Sequence, residues 1–277
     1  MTPGPPLPDP VTLAPESAAK VRSVLLFAAL AAGLASIVGF FLAPKQFFFS
    51  YLVGLVYVTS ISLGALFWVM VHYLTAAGWS VVIRRIAENV TWVLPVLALL
   101  FIPLILNVAL AGPSLSLFEW TNPVLRESDS LLQRKQPWLS VNFFLGRIVF
   151  YIAMWSIIAH FMRSWSARQD LDGDPKYSIR ACTFAPPFTI ILALSSSFFA
   201  FDWLMSLDWR WYSTMYGVYF WAGAIQSAMA TLTLVVLGLR WSGYLRQTIT
   251  VEHTHDMGKI LFGFTVFWTY IAFSQYF

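Results

Sequence analysis

FFFSYLVGLVYVTSISLGALFWVMVHY, the stretch Phe47–Tyr73, contains no Asp, Glu, Lys or Arg. It exceeds the roughly 20 apolar residues that a helix needs to cross a hydrocarbon core of about 30 Å. Inside that core only helices and closed barrels satisfy their own backbone polar groups. The apolar residues here run on continuously, without the period-two alternation of a barrel strand, and this selects a helix. Working outward, the same signal recurs and predicts seven spans: Arg22–Leu42, Phe47–Tyr73, Val90–Ala109, Phe143–Arg163, Ala181–Ser206, Tyr212–Leu239 and Lys259–Phe277. The expected fold class is all-α, a polytopic transmembrane helical bundle, over residues 21–277. The seventh span meets no polar flank, so the chain is expected to be C-terminally truncated.

Composition points the same way. Hydrophobic residues make up 58% of the chain and charged residues 11%, against roughly 45–50% and about 25% in soluble domains. Mean hydropathy is +0.69. Residues 1–20 differ from the rest: they are polar and rich in proline (Pro3, Pro5, Pro6, Pro8, Pro10, Pro15) and carry no positive charge before Lys20. That lacks the basic start of a secretory signal and reads as a disordered tail. Lys and Arg concentrate in the tail and in the second, fourth and sixth loops, including Arg84, Arg85, Arg168, Lys176, Arg240 and Arg246. The positive-inside rule then places the tail and N-terminus in the cytoplasm.

Several chemistries are disfavoured. Cys182 is the single cysteine, so there is no intrachain disulfide and no cysteine framework for an iron–sulfur cluster or an attached haem. The net charge of +4 comes from scattered loop residues rather than a basic face, so nucleic acid is not an expected partner. The lipid bilayer is.

Ionisable side chains within spans are costly and point to function. Asp202 stands out, in the stretch Phe199–Trp209. With the helix continued to Trp209 at the membrane interface, the carboxylate lies about 10 Å deeper. There it needs a proton or a paired cation, and Arg147 on the fourth span is the available partner. Trp203, Trp211, Tyr212, Tyr216, Tyr219 and Trp221 surround it in the sequence. Flat aromatic walls with few polar groups suit a quinone ring, but Trp and Tyr also form ordinary interfacial belts. His72 and His160 both fall at the inner ends of spans, as ligands of one b-type haem or as interhelical hydrogen-bonders. Glu252-His253-Thr254-His255-Asp256 precedes the last span; a helix N-terminus, a proton entry point and a metal site are its readings. The long segment 112–142 reads as a membrane-surface helix or as a docking surface. Pro95, Pro103 and Asn107, together with Pro186-Pro187 and Ser195-Ser196-Ser197, read as kinks and interhelical contacts.

From the fifth span onward the residues resemble a known family. Phe199–Asp208, then Trp211-Tyr212-Ser213-Thr214-Met215-Tyr216-Gly217, and His255-Asp256-Met257-Gly258-Lys259 leading into Phe262–Tyr276 are similar to the membrane subunits of alternative complex III. Among them the ActF type, within the wider NrfD-like (polysulphide-reductase membrane subunit) family, is the nearest resemblance. It covers about residues 184–277 by motif. Before that it rests on helix layout and loop lengths.

The resemblance implies a bundle of about ten spans in the bacterial inner membrane, working as a non-autonomous subunit of a respiratory quinol:cytochrome c oxidoreductase. It implies quinol as substrate, no redox cofactor on this chain, and partners in a sister NrfD-like subunit and in subunits holding haem c and iron–sulfur clusters. Carried onto this sequence, Asp202 falls at the outer side, where the family places quinol, and His255 and Asp256 at the inner side, near a proton route. Together with the residue readings above, Asp202, Arg147, Trp203 and Tyr216 become candidates for quinol binding, with Asp202 as proton acceptor or relay. His72, His160, His255 and Asp256 become candidates for a proton path. The competing expectations are a secondary transporter or proton channel, and a cytochrome b-like haem anchor.

Overall fold

The structure, a computed structural model, describes residues 14–277. Residues 1–13 of the expected proline-rich tail lie outside the described residues. Among the described residues there is no strand, and seven helical stretches are long and apolar enough to cross a membrane. The all-α polytopic reading stands.

The helices run, in chain order, α1 (Pro15–Leu42), α2 (Pro44–Leu74), α3 (Val81–Thr91), α4 (Leu94–Leu100), α5 (Ile102–Leu110), α6 (Pro123–Ser128), α7 (Ser130–Lys135), α8 (Val141–Asp172), α9 (Lys176–Trp203), α10 (Met215–Trp241) and α11 (Val251–Tyr276). Most of the helical stretches are longer than the apolar blocks read from the sequence. Thus α1 starts at Pro15, within the segment expected to be tail. The third crossing begins at Val81 rather than Val90, which takes Arg84, Arg85 and Glu88 out of the expected loop and into a helix.

Proline sets the breaks. Pro44 separates α1 from α2 at Ala43, whose φ of −149° and ψ of 75° are non-helical, in keeping with the restriction on a residue before proline. Pro95 and Pro103 occupy first-turn positions of α4 and α5, where the missing N–H costs little, and they divide the third crossing into three pieces. Asn107 ties the last piece down: its Nδ2 donates to the Leu115 carbonyl (3.0 Å) and its Oδ1 accepts from the Leu117 N–H (2.9 Å). In α9 the helix runs on through Pro186-Pro187. At the end of α8, Gly173 adopts φ 67°, a left-handed cap that favours glycine.

The core is centred on α2, which packs against α3, α8, α9 and α10. Its closest approach is to α10. A Cβ on Gly64 would overlap the Ala224 carbonyl and the Ala228 side chain, and near this crossing Trp68 Nε1 donates to the Ile225 carbonyl (3.1 Å). Small residues permit such backbone contact between membrane helices. In turn α10 holds α11 through Tyr219 stacked on Trp268 (5.4 Å) and Gln226 Nε2 donating to Thr265 Oγ1 (3.0 Å). No residue of α1 is buried; it meets α2 mainly through Phe40 against Phe47 and Phe48.

Segment 112–142 is not one continuous helix. It folds into the 3-10 turn Glu119–Thr121 and helices α6 and α7, started by Asn122 and Asp129, whose side chains accept from following backbone N–H groups. Phe118, Trp120, Leu132 and Leu139 are buried, so the segment forms a cap set into the end of the bundle.

Gly64→Ala is expected to destabilise the bundle by about 1–3 kcal/mol through overpacking against a backbone that cannot yield. Gly54→Ala on the same helix meets nothing within 4 Å and is expected to be neutral. Thermal unfolding of the two variants side by side in detergent checks this.

Candidate functional site

Asp202 lies in the last turn of α9 with 1% of its side chain exposed, and Arg147 lies on α8 with 8% exposed. Arg147 Nε donates to Asp202 Oδ2 (2.7 Å) and Nη2 to Oδ1 (2.8 Å), a bidentate pair. Tyr151, one turn further along the same face of α8, donates its hydroxyl to Oδ2 (2.9 Å). Trp138, from the cap, donates Nε1 to Oδ1 (3.0 Å). A carboxylate offers about four acceptor positions, and here four donors fill them. Arg147 Nη1 also donates to the Trp138 carbonyl (3.0 Å), and the guanidinium stands over the Trp138 and Phe143 rings at 4.1 and 4.4 Å. One turn beyond Tyr151, Trp155 Nε1 donates to Ser195 Oγ (2.8 Å). Arg147, Tyr151 and Trp155 therefore form a polar seam between α8 and α9.

The helix does not continue from Asp202 to Trp209 as expected. It stops at Trp203 and turns through the short 3-10 segment Met205–Leu207, where the Ser206 hydroxyl donates to the Asp202 carbonyl. Trp209 is buried, and Lys135 of the cap donates to its carbonyl (2.6 Å).

Of the four quinol-binding candidates, the structure brings two together. Trp203 adjoins Asp202 in sequence, but its ring enters an aromatic core made by Phe101, Phe118, Phe144 and Phe199, with no partner for its indole N–H. Tyr216 lies on α10 between Trp211 and Tyr219 and makes no hydrogen bond to Asp202. The true partners, Tyr151 and Trp138, were not singled out. Tyr151 had a signal, its i+4 spacing from Arg147. Trp138 had none, because its position depends on how the cap folds. Crevices of about 610 and 620 Å³ lie elsewhere, between α1 and its neighbours.

Among the described residues, no hydrogen bond or ion pair joins any two of the four proton-path candidates. His72 is buried; its Nε2 accepts from Arg84 Nη1 (3.2 Å) because arginine only donates, which leaves the proton on Nδ1, bonded to Ser80 Oγ (2.7 Å). Both ring nitrogens are engaged. His160 is exposed beside Trp92. His253, not His255, has a defined role: with Thr250 it forms the capping box that starts α11. His255 is exposed, and Asp256 pairs with Lys259 (2.7 Å), so this stretch is a capped helix start.

A second ionic cluster, at the opposite end of the bundle, was also not singled out. Glu88 on α3 is 1% exposed; Arg85 Nη1 donates to its Oε2 (2.7 Å), and Arg84 Nε stands 3.5 Å from Oε1. Arg85 also bonds Asp170 near the end of α8. The available signal was the i+3 and i+4 spacing of Arg85 and Arg84 from Glu88.

No protein-family model matches the chain, and no curated protein matches it.

Asp202→Asn leaves Arg147 buried without its counter-charge and is expected to cost about 3–5 kcal/mol. The double variant Arg147→Met/Asp202→Leu removes both charges and is expected to regain most of that loss. Thermal unfolding of the wild type, the single and the double variant provides the check; equal destabilisation by single and double would show that the pairing itself is not what matters.

Proposed function

We propose that this chain is an integral membrane subunit of a respiratory quinol:electron-acceptor oxidoreductase, of the alternative complex III type, in the bacterial inner membrane with its N-terminus in the cytoplasm. The single observation that carries the reading is the buried, aromatic-faced Arg147–Asp202 pair at the end that this orientation makes external. It supplies a carboxylate, a cation and ring surfaces within one site, the groups that hold a quinol hydroxyl and accept its proton. The residue motifs around it are those that resemble the family. Haem c and iron–sulfur clusters belong, on this reading, to partner subunits.

The geometry adds a condition. All four acceptor positions of Asp202 are taken, so a quinol hydroxyl reaches the carboxylate only by replacing a donor. Arg147 and Tyr151 are fixed on α8, whereas Trp138 belongs to the cap and is 38% exposed. Trp138 is therefore the donor that gives way, and the quinol hydroxyl takes its place on Oδ1. The engagement of both His72 nitrogens favours this reading over a haem anchor using that residue, because no lone pair is left for iron.

Two measurements test the proposal. The chain isolated gently from its native membrane should bring haem- and cluster-bearing subunits with it; a chain that purifies alone and moves a solute across vesicles would place it among transporters. In the assembled complex, Trp138→Phe keeps the ring on Arg147 but removes the N–H, so the KM for quinol should fall several-fold. An unchanged KM with intact assembly would remove Asp202 from quinol binding.

A further inference from the structure

Away from both ionic clusters, α8 carries Ser156, His160 and Arg163 at successive helical-turn spacings, which puts them on one face of the helix. That face meets the junction of α3 and α4, where α3 ends at Thr91 and α4 opens with Pro95 in its first turn. A crevice of about 280 Å³ lies there, lined by Trp92, Pro95, Ser156, Ile157, His160 and Phe161. Trp92, Ile157 and Phe161 are exposed, so the crevice opens to the surrounding lipid. At its rim the Arg163 guanidinium stands over the Trp92 ring at 5.0 Å, and His160 lies 6.3 Å from the same ring. Arg163 is about 24 Å beyond Arg147 along α8 at 1.5 Å per residue. In a hydrocarbon core of about 30 Å that sets it at the boundary opposite the Asp202 site, a depth where Trp is also favoured.

Two polar groups here lack a protein partner. Among the described residues, Arg163 makes no hydrogen bond and no ion pair, and its charge meets only the Trp92 ring. Two turns deeper, the Ser156 hydroxyl is buried without a hydrogen-bond partner. No Asp or Glu lines the crevice, and Glu88, one turn before Trp92, is buried and held by Arg85. An ammonium headgroup therefore finds no counter-charge at this place, whereas an anionic one does. Arginine donates to phosphate oxygens with strong, charge-assisted bonds, and basic pockets between membrane helices take anionic headgroups. We propose that this crevice binds the glycerophosphate portion of one anionic phospholipid. The phosphate sits against Arg163 and His160, an ester carbonyl accepts from Ser156 Oγ, and the acyl chains run on over Ile157 and Phe161. The order of groups along α8 thus follows the order of groups along the lipid. Helical side chains lean toward the N-terminus, which carries the Arg163 arm back over the crevice. The site does not depend on the quinol reading and stands or falls separately from it.

Native mass spectrometry of the full chain in detergent, titrated with dioleoyl phosphatidylglycerol, reads the apparent Kd of the first lipid bound. Dioleoyl phosphatidylcholine, with the same chains, should bind several-fold more weakly. Arg163→Gln should weaken phosphatidylglycerol binding roughly tenfold, the scale of one lost charge-assisted contact. Arg168→Gln removes an exposed cation further along α8 that does not line the crevice, and should leave binding unchanged. Ser156→Ala should weaken binding a few-fold. Neither Arg163 nor Ser156 bonds another side chain, so both variants should keep the wild-type Tm before lipid is added. Equal affinity for the two lipids, or equal loss from Arg163→Gln and Arg168→Gln, shows charge read at the surface and overturns the proposal. So does an unchanged Kd in Arg163→Gln or in Ser156→Ala. A chain that takes a short-chain ubiquinone at this crevice and no phosphatidylglycerol has a quinone pocket there, which overturns it as well.

Discussion

Arg147 and Asp202 sit on different helices, and neither charge is tolerable in the bundle interior without the other. The desolvation of a lone ion is worth several kcal/mol even after relaxation, so α8 and α9 are held in the one register that brings the guanidinium onto the carboxylate. Everything at this end of the molecule follows from that register. Tyr151 reaches the same carboxylate because it lies one turn along from Arg147, and Trp155 meets Ser195 one turn further on. The cap is placed by the same pair, since Trp138 bonds Asp202 through its indole and Arg147 through its carbonyl. The aromatic core of Phe101, Phe118, Phe144 and Trp203 then fills the space beneath.

The opposite end is built on the same principle. Glu88 is held by two arginines, with Arg85 Nη1 2.7 Å from Oε2 and Arg84 Nε 3.5 Å from Oε1. The two carboxylates are joined mechanically by α8, which carries Arg147 near one end and Ser166, beside Glu88, near the other, about 28 Å apart along the axis at 1.5 Å per residue. One helix therefore spans the distance between the two ionic sites. Rigid packing of α2 against α10 at Gly64 fixes the scaffold between them.

The fold was largely legible because hydrocarbon imposes a length and a hydropathy that the sequence displays openly. Phe47–Tyr73 is unambiguous on those grounds alone. What hydropathy does not encode is where a helix ends in water, so the apolar block starts the third span at Val90, nine residues after α3 begins, and leaves Glu88 outside it. The Arg147–Asp202 pairing was visible as two opposite charges at matching depth. Its completion was not: Trp138 arrives from a segment whose fold is set by the Asn122 and Asp129 caps and by burial of Phe118 and Trp120, long-range facts without a local signature. Trp203 shows the reverse error. Adjacency in sequence placed it beside Asp202, but consecutive residues of a helix point about 100° apart, and its ring belongs to the core.

The saturation of Asp202 bears on what the site is able to do. A carboxylate with every lone pair engaged binds nothing new without losing something, so any ligand there must be coupled to a rearrangement. The donors are unequal in what their loss entails. Removing Arg147 strands a charge, and removing Tyr151 requires a shift of α8 against α9, whereas Trp138 leaves by a movement of the cap alone. Because Arg147 holds the Trp138 carbonyl as well, such a movement breaks two bonds at once and is felt by Lys135, whose ammonium bonds the Trp209 carbonyl from the same segment. Occupancy of the carboxylate and the position of the cap are thus linked quantities.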